Sequence, residues 1–275
     1  MTRTEKKVKR LLRKNSQSRL FGFIFLLILV FLLSIGLRVY IIEPIQIQDV
    51  SMQPLVQAHQ RVWVCKLERC LQNLKAFDTV LAKKRQRKAL LRQIIGLPGQ
   101  DLKIASDGHV EGEGVDFIWN EEVAFIDTRK FYIPKKGDSL ILEDLNDIDM
   151  DFALGVLKNQ GEDYFVDAEI YQGEQKLSID IVGSTRIASR PVSIKEVPYL
   201  PWRDLFLIEL QIARQVPGAS PIRIQRKAYR SDSSEITGVL VQEDYYFLAC
   251  TQGKRCVDSR ELGLFKKSEL IGKKL

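Results

Sequence analysis

The chain has 275 residues, a formal net charge of +7 and a pI of about 9.1. Eight of its 42 basic residues and one of its 35 acidic residues lie in residues 1–19, so residues 20–275 carry 34 of each sign. Because a nucleic-acid-binding protein is expected to carry its positive charge on the folded domain, this distribution argues against nucleic acid as a partner.

A long apolar segment follows the basic tail. Residues 20–37 read LFGFIFLLILVFLLSIGL, and a helix of this length spans about 27 Å, close to the thickness of a hydrocarbon core. The excess of basic residues on its N-terminal side places that side in the cytoplasm. We therefore predict a single-pass protein of the cell membrane, with a basic cytoplasmic tail (1–19), a transmembrane anchor (20–42) and an extracytoplasmic domain (43–275).

A cleaved signal peptide is the alternative interpretation of the N-terminus. Ser34 and Gly36 provide a small-x-small cleavage site. The long basic region and the length of the apolar run favour the anchor instead.

The rest of the chain consists mostly of short segments with alternating apolar and polar residues, which are typical of strands. The predicted strands are 62–67, 79–82, 90–95, 139–142, 164–170 and 245–248. Residues 207–212 and 222–225 flank Pro217 and Gly218 and predict a hairpin. The segment that begins at Trp202 is interpreted as the chain leading into the first strand of this hairpin, rather than as a turn of helix. A short helix is expected at 145–158. The predicted fold is mainly β.

The four cysteines form two close pairs, Cys65/Cys70 and Cys250/Cys256. An even number in an extracytoplasmic domain permits two disulfides with three connectivities. A zinc site of four thiolates is the alternative, but the CxxC spacing typical of such sites is absent. We therefore expect structural cysteines, and neither a metal nor a cofactor.

The chain contains two histidines, His59 and His109, so few residues could serve as the base of a Ser-His-Asp triad. A serine paired with a lysine is the known variant of that arrangement. Candidate segments occur along the chain, namely 49–55 (DVSMQPL), 78–81 (DTVL), 94–99 (IIGLPG), 258–260 (DSR), Gly263 and 271–273 (IGK).

In this order, and behind an anchor, these segments resemble the type I signal peptidases, or bacterial leader peptidases. These are membrane-bound Ser/Lys endopeptidases that remove signal peptides from exported proteins. The resemblance covers about residues 45–102 and 244–273, and the intervening segment of about 105–240 matches loosely. It implies a signal-peptidase-like β-rich domain, with signal peptides or exported preproteins and the lipid bilayer as partners.

The resemblance places Ser51 at the position of the nucleophile. The family's general-base lysine lies four residues before the first glycine of GLPG, where this chain has Arg92. A buried lysine can lose its proton near neutral pH, whereas the neutral fraction of an arginine at pH 7 is on the order of 10⁻⁵ or less. Lys88, on the same predicted strand face, lies about 13 Å away along the strand.

Other positions also differ from the family pattern. The family's oxyanion-hole residue, two before the nucleophile, is Asp49, whose charge would repel a developing oxyanion. The changed motif positions are His59, Gln60, Gln100, Cys250, Thr251, Gln252 and Cys256. Asp258 and Arg260 are retained, and we expect them to pair and to brace the site.

Two hypotheses follow from these residues. In the first, the protein binds signal peptides of exported preproteins, or a membrane partner, without cleaving them, because Arg92 and Asp49 both oppose acyl transfer. In the second, it is an active serine endopeptidase that removes signal peptides, with Ser51 as nucleophile and a base that the motifs do not identify. The chemistry of the two substituted positions favours the first.

Overall fold

The structure, a computed structural model, describes residues 23–36, 38, 40–48, 50–84, 87–105, 108–118, 130–187, 189–218, 220–252 and 256–275. Residues 23–36 form helix α1, whose apolar side chains are mostly exposed. Within the described part of the chain, no helix is both long enough and apolar enough to cross a membrane. The predicted tail (1–19) and part of the predicted anchor (20–42) lie outside the described residues.

Strands predominate in the remainder, which confirms a mainly β domain. The other α-helices in the described residues are α2 (Glu68–Gln72), α3 (Asp147–Gln160), α4 (Trp202–Ala213) and α5 (Ser259–Leu262), and short 3-10 helices lie at Leu142–Asp144, Ile179–Ser184, Ile194–Tyr199 and Lys267–Glu269. The strands are β1 (Ile42–Gln46), β2 (Arg61–Cys65), β3 (Thr79–Ala82), β4 (Leu90–Gly96), β5 (Asp101–Ile104), β6 (His109–Gly112), β7 (Val115–Ile118), β8 (Lys130–Tyr132), β9 (Ser139–Ile141), β10 (Tyr164–Gln172), β11 (Gln175–Leu177), β12 (Arg186–Ile187), β13 (Arg190–Pro191), β14 (Ile222–Arg230), β15 (Gly238–Leu240), β16 (Tyr245–Ala249), β17 (Phe265–Lys266) and β18 (Leu270–Lys274).

The largest sheet joins strands from both ends of the chain. Its seven strands run in the order β1-β2-β18-β3-β4-β16-β17, and each neighbouring pair is antiparallel. A four-stranded sheet has the order β7-β6-β5-β8, a three-stranded sheet the order β11-β10-β14, and the pairs β15-β9 and β12-β13 complete the set. Because β3 and β4 lie inside the seven-stranded sheet, β4 is buried along almost its whole length.

Buried apolar residues form separate clusters around these sheets. The largest packs the four-stranded sheet against α3, with the rings of Phe131 and Phe152 5.7 Å apart in an edge-to-face arrangement. A second cluster lies between α4 and the β10-β14 sheet. A third contains Met52 and Leu91 and packs under the turn that follows β1. This third cluster supports the candidate site.

Two glycines shape the turn that ends β4. A Cβ on Gly96 would lie 2.7 Å from the Cβ of Phe247 and 2.8 Å from Leu102, so the close approach of the neighbouring side chains requires glycine. Gly99 has a φ of +83°, a conformation that glycine adopts without strain. The Gln100 side chain accepts a 2.9 Å hydrogen bond from the amide of Leu97, and this bond closes the turn.

Most predicted elements are present, but the predicted hairpin around Pro217 is wrong. Residues 207–212 belong to helix α4, and residues 222–225 belong to β14, which pairs with β10. In α4, Leu205, Ile208 and Ile212 follow helical spacing and are fully buried, so tertiary packing overrides the local alternation. The segment from Trp202 is therefore the first turn of a helix rather than a strand lead-in, whereas the helix predicted at 145–158 corresponds to α3.

Candidate active site

Ser51 lies in the turn that follows β1 and is only 5% exposed. The turn is closed by hydrogen bonds from the amide of Gln53 to Val50 O (3.1 Å) and from the amide of Val56 to Met52 O (2.9 Å). Met52, the residue after the serine, is fully buried in the cluster below. The buried Met52 side chain therefore fixes the position of the Ser51 hydroxyl.

Arg92 projects from β4 and meets that hydroxyl. Its Nη1 donates a 3.0 Å hydrogen bond to Ser51 Oγ and a 2.6 Å bond to Leu91 O, and its Nε donates a 2.9 Å bond to Val257 O. The residue is 2% exposed. The structure thus brings together the two residues, Ser51 and Arg92, that the motifs single out in distant parts of the chain.

The loop after β16 holds the serine turn from the other side. Thr251 Oγ1 contacts two carbonyl oxygens of the turn, Gln53 O at 2.6 Å and Ser51 O at 3.3 Å. The amide of Gln252 also donates to Ser51 O, at 3.2 Å. Thr251 was not among the predicted site residues, although its position within the altered C-terminal motif was a signal that it could lie there.

Asp258 and Arg260 form a buried ion pair beside this loop, as predicted. Asp258 Oδ1 accepts bonds from Arg260 Nε (2.8 Å) and from its amide (3.0 Å), and Oδ2 accepts from Nη2 (2.8 Å). The two side chains are 0% and 5% exposed. Because this bidentate pair is desolvated, it fixes the start of α5. It also fixes the adjacent Val257, whose carbonyl oxygen accepts a hydrogen bond from Arg92.

The cysteines form two disulfides, Cys65–Cys70 and Cys250–Cys256, which selects one of the three possible connectivities. The second lies at the site, with Cys250 Sγ 3.2 Å from Asp258 Oδ2 and 3.5 Å from Arg260 Nη2. Cys250, Cys256 and Asp258 are close enough together to form a metal-binding group. Because the sulfurs bond each other and the carboxylate binds Arg260, these donors are engaged within the protein.

Lysines near β3 and β4 are directed elsewhere. Lys84 Nζ donates to Leu262 O (2.6 Å) and Leu264 O (2.8 Å) and lies 4.9 Å from the centre of the Phe265 ring. Burial lowers the pKa of this amine. Lys88 is exposed and precedes β4, so its predicted place on the strand face is wrong. Among the described residues, no lysine amine is hydrogen-bonded to Ser51 Oγ.

His59 and Gln60, two altered motif positions, lie at the turn before β2, whereas His109, the other histidine, lies in a strand. His59 is exposed and has a φ of 64°, a left-handed conformation more common for glycine. Gln60 Oε1 accepts a 2.9 Å bond from the amide of Gln57. His109 lies on β6, where its Nε2 is 2.5 Å from Asp116 Oδ1. Asp49 lies outside the described residues.

Comparisons with known proteins agree with the resemblance seen in the motifs. Residues 19–137, somewhat less than half of the chain, match the family model described as signal peptidase, peptidase S26. Signal peptidase I V of Bacillus subtilis (strain 168) is 34% identical over 71 residues, which are 26% of this chain and 42% of that protein. The alignment thus spans less than half of the relative's length. Both matches support the predicted resemblance to the type I signal peptidase family over the N-terminal part of the chain.

Proposed function

We propose that this protein is a membrane-anchored member of the family that binds the signal peptides of exported preproteins without cleaving them. The observation that carries the proposal is the hydrogen bond from the Arg92 guanidinium to Ser51 Oγ. In the family pattern a lysine would occupy the position of Arg92 and would act as the general base.

The chemistry of arginine supports a non-cleaving site. Acyl transfer requires a base that removes the proton of the attacking hydroxyl, and a guanidinium keeps its protons at any pH at which the protein is folded. Here Nη1 and Nε donate to Ser51 Oγ and to two main-chain carbonyls, so the group is the hydrogen-bond donor in all three of these contacts. Arg92 can orient the Ser51 hydroxyl, but it cannot accept its proton.

The N-terminal segment supports the proposed location. The apolar side chains of α1 are mostly exposed, as they would be against lipid, and the basic residues of the tail (1–19) precede them. We assign residues 20–42 as the anchor and 43–275 as the extracytoplasmic domain. Because Ser51 follows the anchor closely, the site would lie near the outer membrane surface, where a signal peptide emerges.

An extended peptide is the ligand that this fold can accommodate. The seven-stranded sheet ends in β1 and β17, and an extended peptide can add to a sheet edge through main-chain hydrogen bonds without being cut. We therefore propose retention or handover of preproteins, rather than hydrolysis, as the role of the site.

The test uses the full-length protein in detergent with a preprotein substrate and a fluorescent signal peptide. An active signal peptidase acting on the same preprotein is the positive control. We expect wild type to cleave no faster than Ser51→Ala and to bind the signal peptide saturably. Robust cleavage that Ser51→Ala abolishes would overturn the proposal and establish the active endopeptidase. Absence of saturable binding by wild type would refute the binding role.

Arg92→Lys provides a further arm of the same test. Lysine can act as a base when it is buried, so this change restores the family residue. We expect it to restore little cleavage, because Asp49 still opposes the developing oxyanion. Recovery to a rate near that of the control enzyme would show that Arg92 alone blocks catalysis.

A further inference from the structure

The Cys250–Cys256 disulfide closes a loop that contacts both residues of the site. At one end, Thr251 and Gln252 bind Ser51 O and Gln53 O. At the other end, Val257 O accepts the 2.9 Å hydrogen bond from Arg92 Nε. The serine and the arginine are thus each held by residues that adjoin one of the two bridged cysteines.

Both bridged cysteines are also held by packing and by a hydrogen bond to Asp258. Cys250 is 0% exposed and Cys256 6% exposed, and both belong to the apolar cluster that contains Met52 and Leu91. The amide of Cys250 donates a 3.3 Å bond to Asp258 Oδ2. The disulfide therefore connects the loop to the apolar cluster beneath Ser51 and to the Asp258–Arg260 ion pair.

The second disulfide has different surroundings. Cys65 ends β2 and Cys70 lies in the short helix α2, and the contacts described for Ser51 and Arg92 do not involve either residue. The chain thus contains two short-range bridges of similar sequence separation, five and six residues, one of them at the site. Removal of the distant bridge is a matched control for removal of the site bridge.

We propose that Cys250 and Cys256 are positioning residues, whose disulfide holds the Ser51 turn and the Arg92 guanidinium in register for peptide binding. Without the bridge, the segments around Thr251 and Val257 are free to separate. The carbonyl oxygens of Ser51 and Gln53, which Thr251 binds, and that of Val257, which binds Arg92, then no longer have fixed positions. The fold around the other apolar clusters is retained. The statement about peptide binding rests on the proposed function, and the statement about positioning does not.

The first experiment measures positioning directly, by amide hydrogen exchange on the full-length protein in detergent. We expect Cys250→Ala/Cys256→Ala to accelerate exchange in the turn at residues 50–56 and at Gln252 by roughly tenfold, as the loss of about 1.4 kcal/mol of local protection implies. Exchange in the β10-β14 sheet should stay unchanged. Cys65→Ala/Cys70→Ala should leave the site amides unchanged. Unchanged exchange at residues 50–56 in the site variant would overturn the proposal.

A second pair of variants keeps the disulfide intact. Thr251→Val removes the hydroxyl that binds Gln53 O, and Thr251→Ser retains it. We expect faster exchange of the Ser51 turn in Thr251→Val and recovery in Thr251→Ser. These variants keep the positioning claim testable if the cysteine variant fails to fold. Equal exchange in both threonine variants would contradict the role of the loop.

Peptide affinity separates the two proposals. We expect the site cysteine variant to bind the fluorescent signal peptide roughly tenfold more weakly than wild type, and the control variant to bind within twofold of it. If the cysteine variant loses protection but wild type binds no peptide, positioning stands and the proposed function fails. If wild type binds peptide and the cysteine variant binds equally well, the positioning proposal fails.

Discussion

Arg92 Nη1 donates a 3.0 Å hydrogen bond to Ser51 Oγ, and both residues are almost fully buried. The same guanidinium also binds Val257 O and Leu91 O, so its cost of desolvation is offset by three acceptors. The arginine therefore has a structural role in holding β4 to the loop before α5, in addition to its contact with the serine.

This arrangement predicts unequal stability effects at the two positions. Ser51→Ala removes one acceptor and should lower the free energy of unfolding by less than about 1 kcal/mol, because Nη1 keeps its bond to Leu91 O. Arg92→Ala removes the donor from the buried carbonyl of Leu91 and the half-buried carbonyl of Val257 and should cost about 2–4 kcal/mol. Denaturant unfolding in detergent measures both values. Equal costs for the two variants would contradict the structural role of Arg92.

The buried Asp258–Arg260 pair allows a comparison with an exposed pair. Asp258→Asn leaves a guanidinium that is 5% exposed without its counter-charge, and we expect a loss of about 3–5 kcal/mol. In the surface pair Arg190–Glu196 the side chains are 58% and 43% exposed, so Glu196→Gln should cost less than about 1 kcal/mol. Thermal or denaturant unfolding of both variants checks the difference. A similar small loss at both positions would show that Asp258 is dispensable for the fold.

The sequence predicted the members of the site better than their contacts. Ser51 and Arg92 stand out through short motifs, and the β4 segment that carries Arg92 was among the predicted strands. Val257, in contrast, is 165 positions from Arg92 and contributes only a main-chain carbonyl, so its side chain carries no signal of the contact. Contacts of this kind depend on the sheet order, which joins β4 to β16 across the chain.

The fold beyond the motifs was predictable where local pattern and packing agree. In α3, Asn146 caps the first turn by accepting bonds from the amides of Ile148 and Asp149, and Gly161 ends the helix at a φ of 79°. Helix α4 has neither a side-chain cap at its N-terminus nor a glycine at its end. Its helical spacing is therefore the main local signal, and this signal overlaps with strand-like alternation.

The Asp149 carboxyl predicts a pH-dependent stability. Burial raises its pKa from 3.8 to about 6. The hydrogen bonds that the carboxyl accepts from Tyr132 N and Asn146 Nδ2 lower the pKa, but burial has the larger effect. Because the folded state then binds more protons than the unfolded state between these values, the free energy of unfolding should fall as the pH rises from about 4 to about 6. The slope contributed is at most about 1.4 kcal/mol per pH unit.

Asp149→Asn isolates this effect. The variant lacks the titrating group, so the stability difference between variant and wild type should change across pH 4–6 in favour of the variant and stay constant above pH 7. Denaturant unfolding at a series of pH values provides the measurement. A difference that is independent of pH between 4 and 7 would show that Asp149 titrates at its ordinary pKa in the folded protein.

The Gly96 position tests the packing at the end of β4 beside the site. An alanine Cβ would meet Phe247 at 2.7 Å and Leu102 at 2.8 Å, and both are buried, so we expect Gly96→Ala to cost about 1–3 kcal/mol through overpacking. Gly155 is the matched control, because it lies within α3 and a Cβ there meets no atom within 4 Å. Gly155→Ala should stabilise the protein by about 0.5–1 kcal/mol through helix propensity. Opposite signs for the two substitutions in unfolding experiments are the expected result, and a stabilising Gly96→Ala would contradict the close approach of β4 and β16.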